Sequence, residues 1–255
     1  MSKLHERLER AASGPVRPLG FSAGSRERIP VLAIIASIAK PTQKSVEAAV
    51  KAGAEFILVP AGATPKAPPG IGSTPWGART EALTEKAHTA LREAGCDFLF
   101  VLAGDTPLRL LNDDSIGYYG IVPADTDERR LRALERLPFE GSVIEADAGK
   151  DLTVGQAVEV SAAASRLTGP LLTMASIDWG SGEMEQLRDL GFVAVVVEVG
   201  DARGAARIAD LREAILSVPL QSKRRRGRTA ATVPTVSDGA AAPPPDEGDD
   251  DDFDE

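Results

Sequence analysis

The stretches AVKAGAEFILVPA (49–61) and ALREAGCDFLFVLA (90–103) share one layout. In each, a helix-patterned run stops on a glycine, Gly53 or Gly95, and an apolar run of strand length follows almost at once. LRDLGFVAVVVEVG (187–200) repeats the layout more loosely around Gly191. Glycine ends a helix in the left-handed conformation at little steric cost. Short, nearly unbroken apolar runs are the mark of strands buried on both faces. Strands that alternate with helices in this way predict parallel pairing through right-handed crossovers.

The same alternation extends outward through residues 31–220. Strand candidates are VLAIIASI (31–38), EFILVPA (55–61), DFLFVLA (97–103), YYGIVPA (118–124), SVIEAD (142–147), PLLTMAS (170–176) and VAVVVEV (193–199). Helical patterns fill 42–53, 78–95, 125–138, 153–169, 181–191 and 201–219, with a Thr153/Gln156 capping box opening the fourth. RPLGFSA (17–23) is a candidate for an eighth strand, paired antiparallel with VLAII if it forms a hairpin. The segment GDTPLRLLNDDSIG (104–117) has room for only a short helix.

The junctions AGAEFILVP and AGCDFLFV resemble those of aldolase-type (β/α)8 barrels of the TIM type, and the strand count is close to eight. The resemblance is to a fold and implies no reaction. It gives a domain plan of an N-terminal helix over 1–16, a barrel over 17–220 and a disordered tail over 221–255. The alternative is an open doubly wound sheet, which is less favoured because the first strand is not followed by a GxGxxG turn.

Composition narrows the chemistry. Cys96 is the only cysteine, so neither an internal disulfide nor a multi-cysteine zinc site exists; a buried, small apolar role is expected for it. With two histidines, His5 and His88, both in charged helical patterns, His-based triads and multi-His metal centres are disfavoured. The start MSKLHERLERAAS is not patterned as a signal peptide, and no apolar run is long enough to span a membrane. A soluble, cytoplasmic protein without membrane partners is expected.

Barrels carry their working residues at the C-terminal ends of strands and in the loops that follow. Glu145 and Glu198 are the leading catalytic candidates, because each is a carboxylate set in an apolar strand, where it is costly unless paired, ligated or facing a polar cavity. Lys40, Asp105, Asp147 and Arg203 are candidate ligand-binding groups at neighbouring strand ends. Glu145 and Asp178 are placed like the Glu and Asp that hold a divalent cation such as Mg²⁺ in pyruvate-type aldolases, a resemblance that implies a metal pair there. The competing reading makes these acids structural ion pairs with Lys40, Lys150 or Arg203. Asp201 suits an N-cap better than a phosphate cup. The long loop 62–78, rich in Pro and Gly, carries Trp76 and Lys66, which either cover a ligand or pack and solvate on the rim.

The tail reads KRRRGR (223–228), then a Pro/Ala spacer, then DEGDDDDFDE (246–255). Residues 221–255 hold 5 Lys/Arg and 9 Asp/Glu, so they supply −4 of the chain's −9. The acidic balance therefore says little about the barrel, whose bulk charge is not that of a nucleic-acid binder. The tail is either a solvated appendage or a tether for a protein or nucleic-acid partner. Two functions stay open. One is a degenerate or non-catalytic barrel scaffold whose tail recruits a partner. The other is an aldolase- or lyase-type enzyme acting on a small anionic metabolite through a carboxylate site at the C-terminal rim.

Overall fold

In a computed structural model of the chain, residues 2–13, 30–62, 66–102 and 104–219 are described. They form a closed barrel of parallel strands in simple sequence order, β1 pairing with both β2 and β8. The strands are β1 Ala33–Ser37, β2 Phe56–Pro60, β3 Trp76–Thr80, β4 Phe98–Leu102, β5 Gly117–Pro123, β6 Gly141–Glu145, β7 Leu171–Ala175 and β8 Phe192–Glu198. The helices are α1 Lys3–Ala12, α2 Gln43–Ala52, α3 Glu85–Glu93, α4 Glu128–Leu134, α5 Val154–Ala164, α6 Ser181–Asp189, α7 Ala202–Ala206 and α8 Ile208–Ser217. The fold is a TIM-type (β/α)8 barrel.

One strand is not where the sequence pattern puts it. The eighth strand is Trp76–Thr80, across the junction between the long loop 62–78 and the helical pattern 78–95, and α3 begins only at Glu85. RPLGFSA (17–23) and the tail 221–255 lie outside the described residues. Between β3 and β4 the helix–glycine–strand junction forms as expected, with Gly95 at φ +76°. Gly53 does the same after α2 at φ +105°. The short 3₁₀ helix Leu108–Asn112 is what fits between β4 and β5. The Thr153/Gln156 capping box is present, and Asp201 caps α7 by accepting from the Arg203 and Gly204 amides.

Alternation along the strands makes two cores. Outward residues such as Ile34, Ile57, Trp76, Leu99, Val122, Ile144 and Val195 pack under the helices. Inward residues fill the lumen: Ala33, Ile35, Phe56, Leu58, Phe98, Phe100, Tyr119, Ile121, Val143, Leu172, Ala194 and Val196. Phe98 sits among three rings, with centroids at 5.9 Å to Phe56, 5.2 Å to Phe100 and 6.4 Å to Tyr119. Such edge-on and tilted pairs add to the area they bury.

The N-terminal end of the barrel is closed by α1. Leu4 and Leu8 are fully buried in the lumen core. The polar partners of α1 are residues that stand just before strands. Asp97, ahead of β4, accepts from the Lys3 and Leu4 amides at 2.9 and 3.0 Å, taking first-turn donors that the helix leaves unpaired. Ser2 donates to Glu140, ahead of β6, at 3.0 Å. Arg7 pairs with Glu55, ahead of β2, at 2.5 and 3.1 Å and donates to the Pro30 carbonyl.

Candidate functional site

The other end of the lumen differs. The last inward positions of β1 to β8 are Ser37, Pro60, Arg79, Leu102, Pro123, Glu145, Met174 and Glu198. All are at least partly exposed. One layer below, Ile35, Leu58, Phe100, Ile121, Val143, Leu172 and Val196 are buried. The C-terminal mouth is thus a ring carrying four polar side chains over an apolar floor.

Arg79 and Glu145 meet across this ring. Arg79 Nη2 lies 2.7 Å from Glu145 Oε1, although their strands, β3 and β6, are separated by β4 and β5. Both side chains keep more than a third of their surface exposed, at 39% and 34%. A pair this wet is worth about 0–1 kcal/mol, so its place over the lumen matters more than its strength. Glu198 is paired in register with Ser37 on β1. Its side chain is exposed and has no ion pair or hydrogen bond among the described residues.

Arg79 is the group that the sequence pattern hides. Its strand, WGART, lacks an apolar run because its inward positions are Gly77 and Arg79. Gly77 is required by packing: a Cβ there would stand 2.4 Å from the Phe98 ring and 2.5 Å from the Phe98 carbonyl oxygen. The signal that does exist is period two, with Trp76 and Ala78 apolar and outward between the two non-apolar inward positions.

The remaining candidates are spread around the rim. Lys40, Asp105 and Arg203 are exposed. Asp147 is exposed, and its carbonyl accepts from the Gln156 side chain at 2.7 Å. Asp178 is ion-paired with Arg207. The expected metal pair, Glu145 and Asp178, is therefore occupied by two arginines. Among the described residues no group of three or more His, Cys, Asp and Glu side chains stands together to hold a metal ion. This donor set does not fit a divalent cation. In place of Lys40, Lys150 and Arg203, the cations that pair with Glu145 and Asp178 are Arg79 and Arg207.

Trp76 is buried on the outer face of β3. With Lys66, Pro68 and Leu91 it lines a cleft of about 230 Å³ beside β2 and β3, outside the lumen. Cys96 is buried, and desolvation pushes its thiol up to about 12; the thiol donates to the Phe98 carbonyl. His88 is also buried, 2.7 Å from the Tyr118 hydroxyl. Burial is the main cause that raises the Tyr118 hydroxyl. Both groups belong to the layer between strands and helices, and neither reaches the mouth. No helix among the described residues is long and apolar enough to cross a membrane.

No protein-family model and no curated protein matches the chain. Solved structures do match it in fold. Tryptophan synthase from Mycobacterium tuberculosis aligns with a TM-score of 0.57 at 14% identity, over 84% of this chain and 98% of that one. Thiamine phosphate pyrophosphorylase from Pyrococcus furiosus aligns with a TM-score of 0.51 at 13% identity, over 72% and 97%. Phosphoribosylanthranilate isomerase from Thermotoga maritima aligns with a TM-score of 0.51 at 11% identity, over 71% and 99%. At these identities the likeness is one of barrel architecture.

Proposed function

We propose that the C-terminal mouth is the working face of this barrel, and that it binds and acts on a small metabolite that carries an anionic group. The observation that carries the reading is the one-sided layout of the lumen. Its N-terminal end is sealed by α1, while Ser37, Arg79, Glu145 and Glu198 all stand at the other, solvent-reached end above an apolar layer. A few convergent polar groups over apolar walls are what small-molecule sites are made of. Arg79 is the anion-binding group, since its planar fork suits a carboxylate or phosphate. Glu145 holds Arg79 in place, and Glu198 is the carboxylate free to take up a proton. The matched structures named above are enzymes by their names, which agrees with this use of the fold.

The scaffold reading draws on one observation of its own: Glu145 and Asp178 are already neutralised by arginines, as structural acids are. The two readings part at Arg79. Thermal-shift measurements on the full chain, with a panel of carboxylate and phosphate metabolites, separate them. A ligand at a hundred times its Kd stabilises the protein by about 2.7 kcal/mol, and Arg79→Gln removes that gain. If no metabolite shifts the transition, the binding reading falls and the scaffold stands.

A further inference from the structure

The inner face of the mouth is not balanced in charge. It holds one cation, Arg79, and two carboxylates, Glu145 and Glu198. A plain anion on Arg79 shares that one guanidinium with Glu145, leaving three negative groups, with Glu198, to a single cation. Like charges brought close together disfavour one another, even partly solvated. A plain cation avoids these costs but makes no use of Arg79.

Resting on the mouth as an anion-binding site, we infer that its ligand is a small zwitterion, an amino acid with an apolar side chain. Its carboxylate takes the Arg79 fork. Its ammonium group, which has three donors and no acceptor, takes the carboxylates of Glu145 and Glu198. The ligand adds no net charge to the mouth, and each of the three charged groups gains an opposite partner. The Ser37 hydroxyl, in register with Glu198, stands beside the ammonium end. The apolar side chain rests against Leu102, Pro123 and Met174, the apolar ring members that reach the surface of the mouth.

Calorimetry on the full chain tests this with matched probes. Leucine and phenylalanine are compared with 4-methylpentanoate and 3-phenylpropanoate, which lack the amine, and with isoamylamine and phenethylamine, which lack the carboxylate. The amino acids are expected to bind on the order of tenfold tighter than either set. Glu198→Gln and Glu145→Gln are expected to narrow the margin over the carboxylates by weakening the ligands that carry an ammonium group, and Arg79→Gln to weaken every carboxylate. Carboxylates that bind as tightly as the amino acids, and still depend on Arg79, overturn the zwitterion and leave the anion site standing. Binding of none of these probes, or binding indifferent to Arg79→Gln, overturns both. Thermal unfolding of each variant alone shows whether it is folded, and the three single substitutions must agree for the inference to hold.

Discussion

The Phe98 ring occupies the space that any side chain at position 77 would need. β3 and β4 are neighbours, and a Cβ on Gly77 would meet Phe98 Cδ2 at 2.4 Å and the Phe98 carbonyl oxygen at 2.5 Å. Rotating the ring relieves the first clash but not the second, which is with backbone. Gly77→Ala is therefore expected to destabilise the barrel by about 1–3 kcal/mol, the usual cost of overpacking a core. A lower denaturant midpoint at unchanged slope is the expected readout; a neutral result would show that β3 and β4 can move apart freely.

The seal at the N-terminal end depends on a buried charge. Arg7 is 6% exposed and is neutralised by Glu55. Glu55→Ala leaves that guanidinium buried without its counter-ion and is expected to cost about 3 kcal/mol. Arg7→Met keeps the aliphatic stem in place and removes the charge, so it should cost clearly less. Urea denaturation of both variants checks the order, and equal losses would mean that packing alone holds α1.

Cys96 is expected to be inert in the folded protein. Burial keeps its thiol protonated, up to about 12, and the thiolate is the reactive species. At pH 8 a thiol reagent should label Cys96 only as fast as the chain unfolds. Rapid labelling without denaturant would contradict the packing of the layer between α3 and β4.

Acid should act on the loop ahead of β5. The Asp113 carboxylate is held below its ordinary range, first by the Ser115 hydroxyl and amide at 2.6 and 3.0 Å, then by His88 and Arg92. A carboxyl lowered in the folded state stabilises the protein above its unfolded value and loses that contribution as pH falls through the folded one. Asp113→Asn should therefore be less stable than the parent at pH 7, with the gap closing below about pH 4. Denaturation midpoints at pH 7, 5 and 3.5 give the test; a gap that does not narrow in acid would assign the loss to packing instead.

Most of the barrel was legible because its strands are apolar on both faces. FLFVL and FVAVVVE announce themselves, and their neighbouring helices end on glycine. WGART was not legible for the same physical reason in reverse. Its inward positions serve a neighbour's ring and the mouth, so they are Gly and Arg, and the strand looks like the end of a loop and the start of a helix. That single misreading also hid Arg79, and with it the partner of Glu145. Glu145 and Glu198 could be singled out from the sequence because a charge interrupting an apolar run is conspicuous. Which cation they face depends on residues from distant strands meeting across the lumen, and no local pattern records that.

The helix that seals the barrel comes first in the chain but has nothing to seal until much later residues are in place. Its polar partners lie 48, 93, 94 and 138 positions downstream, on the approaches to β2, β4 and β6. Closing such long loops is entropically slow to be repaid. The opening residues of the polypeptide thus wait for more than half of the chain, and settle as a late event in folding. Changes at Arg7 or Glu55 should accordingly speed unfolding while leaving the refolding rate nearly untouched, a division that stopped-flow kinetics would reveal.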